Sequence, residues 1–275
     1  MPTLYLVATP IGNLEDITLR ALRILREVTL IAAEDTRTTR KLLSHYDIHT
    51  PLTSYNDRNK RTKTSHIVEQ LERGDVALVS EAGTPTISDP GQDLVTAAYA
   101  IGAQVVPVPG PSVVTAALTA SGLPTRTFTY LGFLPRQPGA RRRLLRSVAT
   151  RPDTLVAFEA PHRIRDSLVD MQQELGERFV AVCRELTKLH EEVFRGSFTE
   201  ALAHFSEPRG EFTLVIAGAE PSQRPNSGSD VEATVRQEMR RLKKRGAGAQ
   251  EAISSLSRQY GLSRRQLYQL WLSLE

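Results

Sequence analysis

Short apolar runs alternate with stretches of helical periodicity along roughly the first 120 residues. The runs are uniformly apolar, which is typical of strands buried on both faces of a parallel sheet. Between them, apolar residues recur every three or four positions, as on one face of a helix. Strands that alternate with helices predict a parallel sheet covered by helices on both faces. The predicted strands are 4–8, 28–33, 76–79 and 105–108, and the predicted helices are 17–25, 36–45, 62–73, 93–101 and 113–120.

A break at Gly122-Leu123-Pro124 marks the start of a second region. Two predicted strands in it, 179–185 and 191–196, follow each other with too few residues between them for a crossover helix. That spacing predicts a mixed or antiparallel second sheet. We therefore expect two α/β domains, then a polar linker and a helical tail. The expected segments are 1–121, 122–220, 221–230 and 231–275.

The tail has a purely helical pattern in which Tyr260-Gly261-Leu262 predicts a tight turn and Ser263 a helix cap. This order is typical of a helix-turn-helix, and a plain helical hairpin is the alternative. Residues 226–275 hold nine Arg and Lys against five acids, so they carry the whole formal net charge of +4. A basic segment favours a polyanionic partner, although a solvated helix face would give the same composition.

Composition excludes several classes of protein. No apolar run approaches the roughly 18 residues that span a bilayer, and no secretory signal is visible, so we expect a cytoplasmic protein. Cys183 is the only cysteine, which rules out an internal disulfide. The six histidines are scattered without ligand spacing, so we expect no metal bound by protein ligands.

Three loops rich in Gly and Pro each follow a predicted strand, at 9–13, 80–91 and 109–112, and the polar cluster 34–37 follows another. Parallel strands end at the same edge of a sheet, and ligands bind outside that edge. Glycine lets a backbone approach a ligand closely. None of the loops has the G-x-G-x-x-G or Walker A pattern, so neither NAD nor ATP is indicated. An ordinary strand-to-helix connection is the alternative for any one of them.

The same loops carry a family resemblance. The strings at 13–21, 31–37, 81–85, 88–91 and 107–112 resemble the tetrapyrrole methylase superfamily, and the similarity extends over residues 3–218. Within it, the strings at 34–37, 132–135, 184–188 and 190–192 resemble a branch that methylates ribosomal RNA. One departure is the first loop, Thr9-Pro10-Ile11-Gly12-Asn13, which replaces a Gly-x-Gly-Pro-Gly-Asp stretch and argues against a porphyrin-like substrate.

The resemblance implies a class III methyltransferase with S-adenosylmethionine in a cleft between two α/β domains, usually as a homodimer. It implies methylation of a ribose 2′-OH, that of cytidine 1402 in the decoding region of 16S rRNA, within the 30S subunit. By position, the cofactor contacts would be Pro10, Glu81, Thr84, Ile87, Ser112, Val113, Phe158, Ile216 and Ala217.

A ribose hydroxyl is a poor nucleophile, so a base or a positive charge beside it would help. We expect Arg37, Glu185 and Lys188 to act in catalysis, with Lys188 as a lysine of depressed pKa held by Glu185. A simple surface ion pair is the alternative for those two residues, and Arg37 would equally suit a phosphate.

The remaining candidates are substrate contacts. Acidic side chains at strand ends are expected to line the substrate side, although Glu34 and Asp35 are equally suited to capping the helix that follows. An arginine-rich helix at 136–146 is expected to bind RNA phosphates. The proposed substrate contacts are Glu34, Asp35, Asp89, Arg136, Arg141 and Arg142.

Two other functional classes stay open. A small-molecule C-methyltransferase of the tetrapyrrole type would need neither the tail nor the basic helix. A non-enzymatic helix-turn-helix protein would bind nucleic acid without S-adenosylmethionine, and calorimetry with that cofactor separates it from both enzymes.

Overall fold

A computed structural model describes residues 1–219, 228–244, 248–260 and 263–272. The chain divides into two compact units, Met1–Ala219 and Glu220–Glu275. The first unit contains two five-stranded sheets, and the second is helical where it is described. No helix among the described residues is long and apolar enough to cross a membrane.

The first sheet is wholly parallel, as the apolar runs predict. Its strands are β1 (Thr3–Val7), β2 (Leu30–Ala33), β3 (Leu52–Ser54), β4 (Val76–Val79) and β5 (Gln104–Val108), in the spatial order β3-β2-β4-β1-β5. Its one unpredicted strand is β3, which has only three half-buried residues and hence no apolar run. The helices are α1 (Leu19–Glu27), α2 (Thr36–His45), α3 (Lys60–Leu71), α4 (Gln92–Ala100) and α5 (Val113–Ser121), with a 3₁₀ turn at Leu14–Asp16.

Helices cover both faces of this sheet because its strands are apolar on both faces. In β4, Ala77 and Val79 belong to the core that contains α1 and α2, whereas Val76 and Leu78 belong to the core that contains α3 and α4. Thr18 caps α1 by accepting a hydrogen bond from the backbone N–H of Ala21.

The second sheet is mixed, as predicted. Its strands are β6 (Phe128–Phe133), β7 (Thr154–Glu159), β8 (Phe179–Arg184), β9 (Glu192–Ser197) and β10 (Phe212–Ile216), in the spatial order β6-β7-β10-β8-β9. Only β6 and β7 are parallel, and the other neighbours are antiparallel. The helices are α6 (Pro138–Val148), α7 (Ile164–Leu175) and α8 (Phe198–His204). The short helix α8 was not predicted, but Ser197 and Glu200 form a capping box at its start.

Helix α5 joins the two halves of the first unit. Its residues Val114, Ala117 and Leu118 share an apolar cluster with Val156 and Val215 of the second sheet. The helix ends at Gly122, whose left-handed backbone (φ 68°) suits glycine. The expected boundary after residue 121 therefore follows a helix that packs on the second sheet, and it stays a prediction.

The second unit contains α9 (Gly228–Lys244), α10 (Ala249–Tyr260) and α11 (Arg264–Leu272). Helix α9 begins inside the stretch expected to be linker. Apolar side chains from all three helices pack together, and the Ser263 hydroxyl caps α11 by accepting from the N–H of Gln266 at 3.3 Å. The predicted turn residues Gly261 and Leu262 lie outside the described residues, so the helix-turn-helix interpretation stays a prediction.

Candidate functional site

The three Gly/Pro-rich loops meet at the carboxyl edge of the first sheet, as expected from parallel strands. Thr9 and Gly83 exchange two backbone hydrogen bonds of 2.9 Å, which join the loops after β1 and β4. The Thr84 hydroxyl donates to the carbonyl oxygen of Pro111 at 3.3 Å, which brings in the loop after β5. The predicted cofactor residues of the first half therefore lie on connected loops.

The loop 80–91 holds unusual backbone conformations. Gly83, Thr86 and Ser88 all have positive φ, of 81°, 73° and 67°. For a β-branched residue such as Thr86 this conformation is strained, at a cost of about 1–3 kcal/mol. Strained backbone conformations are common at ligand-binding sites, and they persist only where the surrounding structure holds the backbone in place.

The second sheet supplies the opposite wall. The hydroxyls of Ser88 and Tyr130 are hydrogen-bonded across the gap between the two halves at 2.6 Å. Tyr130 is in edge contact with Phe158, the predicted cofactor residue on β7, with ring centroids 5.2 Å apart. On the other side, Gly12 lies so close to the loop after β8 that an added Cβ would be 2.9 Å from the Leu186 carbonyl oxygen. A cleft between the sheets is thus bounded by contacts on two sides.

Three carboxylates, Glu34, Glu81 and Asp89, form an acidic group beside this edge. The N–H of Glu81 donates to Glu34 Oε2 at 3.1 Å. Burial raises the pKa of Asp89 to about 7, repulsion from Glu34 and Glu81 adds to the rise, and the Ser80 hydroxyl partly opposes it. Burial also raises the pKa of Glu34, with repulsion from neighbouring carboxylates adding to it. Asp89 therefore exchanges its proton near neutral pH.

Asp35 and Arg37 are engaged with each other. Asp35 caps α2 by accepting from the N–H of Arg37 at 2.7 Å, so the capping interpretation is confirmed for Asp35 but not for Glu34. The Arg37 guanidinium also pairs with Asp35 at 2.8 Å, and these hydrogen bonds lower the pKa of Asp35 to about 2. The Arg37 side chain is 88% exposed. Asp35 is thus ionised at neutral pH, unlike Asp89.

The prediction that Lys188 has a depressed pKa is wrong. Burial lowers the pKa of Lys188, but its ion pairs with Glu211 at 2.6 Å and Glu185 at 3.0 Å outweigh burial and raise it. Burial raises the pKa of Glu185, but the N–H of Glu211 and the Lys188 ammonium outweigh burial and lower it. Lys188 therefore carries a proton at neutral pH and Glu185 does not.

Two residues of the arginine-rich helix are tied to Asp170 on α7. Arg141 is buried and pairs with Asp170 at 2.6 Å, so its guanidinium is not available to RNA, contrary to the prediction. Arg142 donates to the same carboxylate at 2.8 Å but keeps 44% of its side chain exposed. Arg136 and Arg143 are exposed, and within residues 1–219 neither forms an ion pair.

Ile216 and Ala217 do not lie beside Phe158, although all three are predicted cofactor contacts. Because β7 and β10 are antiparallel, Phe158 pairs with Thr213, and Ile216 pairs with Leu155 at the other end. The Ile216 side chain is fully buried in the core on the α6 and α7 face. Its side chain therefore cannot contact a ligand in the cleft.

Sequence reasoning missed Tyr130, Phe133 and Ser88 as site residues. The signal was present in part, because Ser88 and Phe133 lie in the strings that resemble the family. Their role depends on a contact between distant segments, which a linear pattern does not reveal. Among the described residues, no group of three or more His, Cys, Asp or Glu is arranged to hold a metal ion.

Comparison with known sequences supports the resemblance seen in the loops. Three relatives share the name ribosomal RNA small subunit methyltransferase I. The one from Synechocystis sp. is 49% identical and covers 100% of this chain and 99% of its own length. The one from Halalkalibacterium halodurans is 45% identical and covers 98% and 94%. The one from Thermotoga maritima is 49% identical over its whole length, which aligns with 80% of this chain.

Solved structures show the same fold at low sequence identity. A uroporphyrin-III-C-methyltransferase from Thermus thermophilus is 22% identical with a TM-score of 0.56, over 78% of this chain and 94% of that one. A cobalt precorrin-4 methyltransferase is 16% identical with a TM-score of 0.60, at the same coverage. A family model described as Tetrapyrrole (Corrin/Porphyrin) Methylases matches residues 3–202. The chain therefore belongs to the tetrapyrrole (corrin/porphyrin) methylase family, among relatives named ribosomal RNA small subunit methyltransferase I.

Proposed function

We propose that this protein is an S-adenosylmethionine-dependent methyltransferase of small-subunit ribosomal RNA, which methylates the ribose 2′-OH of a cytidine in the decoding region of 16S rRNA. The observation that carries the proposal is the 49% identity to a relative of that name over the whole of both chains. We further propose that it acts in the cytoplasm as a homodimer on the 30S subunit.

Several features of the cleft support S-adenosylmethionine as the cofactor. Gly110 is exposed on the loop after β5, and Ser112 makes no side-chain bond to the first turn of α5. The free N–H groups of that turn suit a carboxylate, because a helix N-terminus carries partial positive charge. The carboxylates of Glu34, Glu81 and Asp89 suit the two positive charges of the cofactor, on its sulfonium and its ammonium group. The absence of a phosphate-binding loop agrees with a ligand that has no phosphate.

Asp89 is the residue best suited to accept the proton of the attacking hydroxyl. When bound, the cofactor supplies an electrophilic methyl group on sulfur. A general base works best when its pKa is close to the operating pH, and the pKa of Asp89 is about 7. Lys188 suits a different role, because a protonated lysine can hold the substrate phosphate or stabilise negative charge on the ribose oxygen.

Exposed cations supply the attraction for RNA. Arg136 and Arg143 are exposed and have no ion-pair partner among residues 1–219, and Arg142 is exposed over 44% of its side chain. The net positive charge of the tail adds to theirs. Binding through phosphates releases counterions, so affinity should fall steeply as salt is added.

The tail serves affinity rather than chemistry in this proposal. The Thermotoga maritima relative aligns over its whole length yet leaves a fifth of this chain without a counterpart. Residues 220–275 form a separate unit of that size. Deleting them should therefore leave methylation measurable but weaken binding to the subunit and reduce its salt dependence.

The test is methylation of 30S subunits by the purified protein with isotope-labelled S-adenosylmethionine. After nuclease digestion, mass spectrometry should find the label in 2′-O-methylcytidine from one site of 16S rRNA. Free 16S rRNA and a uroporphyrin substrate serve as comparisons. Label on the base, or transfer only to the porphyrin, would overturn the proposal, and failure to bind the cofactor in calorimetry would reject both enzyme classes.

A further inference from the structure

Phe133 is a large apolar side chain that the fold leaves in solvent. It is the last residue of β6, and 60% of it is exposed. The next residue, Leu134, is buried in the core. The chain could therefore bury apolar residues at this point, and the exposure of Phe133 calls for an explanation.

A β-bulge aims this ring at the cleft. Residues 130 and 133 of a regular strand would point to opposite faces of the sheet, because side chains alternate. In β6 the register shifts between Tyr130 and Gly132, and Gly132 takes a left-handed backbone (φ 67°) that glycine tolerates. The extra residue places Tyr130 and Phe133 on the same side, both in contact with Phe158.

The ring is held in place by its neighbours. Phe133 and Phe158 are in edge contact, with centroids 5.3 Å apart and planes at 68°. Phe158 is held in turn by Tyr130, whose hydroxyl is hydrogen-bonded to Ser88 in the first half. This arrangement leaves part of the Phe133 ring open to solvent, and a rigid ring loses little entropy when a ligand stacks on it.

The charge near Phe133 fits a nucleic acid. Arg136 follows it by three residues and is exposed without an ion pair in residues 1–219. Aromatic rings that stack bases, next to cations that bind phosphates, are the usual means of holding single-stranded RNA. An apolar protein partner would gain nothing from the unpaired guanidinium.

We infer that Phe133 is a stacking platform for an unpaired base of the RNA substrate, with Arg136 binding the adjacent phosphate. This inference rests on the proposed function. The cofactor's adenine is a less suitable occupant of this ring. Phe133 lies on the edge strand β6 and is exposed, whereas Phe158, the predicted cofactor contact, lies on the neighbouring strand β7 and is half-buried.

The test compares Phe133→Ala with Phe128→Ala. Phe128 lies at the other end of the same strand, is also partly exposed, and is not part of the proposed platform. Affinity for 30S subunits is measured by filter binding, and the KM values for subunits and for S-adenosylmethionine by initial rates. Phe133→Ala should weaken subunit binding about 5- to 150-fold, the range of one stacked base, with the cofactor KM unchanged. Phe133→Trp should restore binding, and Phe133→Leu, which keeps apolar packing, should not.

Several results would overturn the inference. Equal subunit binding by the Phe133→Ala and Phe128→Ala variants would show that no base stacks on this ring. A rise in the cofactor KM alone would place the adenine there instead. Full binding by Phe133→Leu would reduce the contact to apolar packing. If the wild type binds subunits but does not methylate them, the proposed function is wrong, and the binding data for the Phe133 variants still test the stacking platform. If the wild type binds no RNA, both proposals are wrong.

Discussion

Replacing Asp89 by Asn should change the pH dependence of both stability and activity. The pKa of Asp89 rises from its ordinary value of 3.8 to about 7 in the folded protein. A rise of this size corresponds to about 4 kcal/mol, and the partial exposure of the carboxyl reduces the expected effect on the free energy of unfolding to about 2 kcal/mol. Between pH 4 and 7 the folded protein keeps a proton that the unfolded chain releases. The free energy of unfolding therefore falls as pH rises through that window.

Urea unfolding at several pH values between 4 and 8 measures this effect. The difference in unfolding free energy, Asp89→Asn minus wild type, should grow by about 2 kcal/mol in favour of the variant from pH 4 to pH 8. Asp35→Asn is the matched control with the opposite sign, because the pKa of Asp35 is lowered to about 2. That control should be less stable than wild type by a constant amount from pH 4 to pH 8. When its series is extended below pH 4, the difference should vanish as pH falls through about 2.

The same variant tests the catalytic role. In the wild type, kcat/KM should rise with pH through about 7 as Asp89 loses its proton. Asp89→Asn should remove that dependence and lower kcat/KM by roughly 10²- to 10⁴-fold, the usual contribution of a general base. If the free energies of unfolding of variant and wild type changed in parallel with pH, the raised pKa of Asp89 would be refuted. A stable variant with wild-type kcat/KM would refute the role as proton acceptor.

Three further substitutions test the rest of the site. Lys188→Met should cost about 1 kcal/mol in urea unfolding yet leave the pH dependence of kcat/KM unchanged, because Lys188 stays protonated; a shifted profile would make it a base after all. Asp170→Asn leaves the Arg141 guanidinium buried without its partner, so the unfolding free energy should fall by about 3–5 kcal/mol, and a loss below 1 kcal/mol would contradict the burial. Gly12→Ala should push the first loop away from Leu186 at a cost of about 1–3 kcal/mol and weaken cofactor binding in calorimetry, whereas unchanged affinity would place the cofactor elsewhere.

The elements of the first unit were predictable wherever burial dictated them. Four of the five strands in the first sheet are apolar runs, and strand-to-helix alternation implied a parallel sheet. Strand β3 and helix α8 were not predicted, because elements this short are too short to show a hydrophobic periodicity. Their stability comes from hydrogen bonds and packing with neighbours, which a linear pattern does not contain.

The site was predictable only to the level of loops. Parallel topology places every strand's carboxyl end at one edge, so the three Gly/Pro-rich loops had to meet. The identity of the chemical groups was a different matter. Arg141 looked like an RNA contact, but it is buried against Asp170. Lys188 was predicted to have a depressed pKa, but its ion pairs with two carboxylates raise that pKa.

Local pattern was sufficient for fold class, because burial and periodicity are properties of neighbouring residues. Protonation states and side-chain exposure needed the folded chain, because they depend on which distant groups come together. Asp89 titrates near neutral pH only because folding buries it beside Glu34 and Glu81. Phe133 reaches the cleft only because a bulge shifts β6 by one residue against β7. Long-range electrostatics and strand register were thus decided by tertiary structure alone.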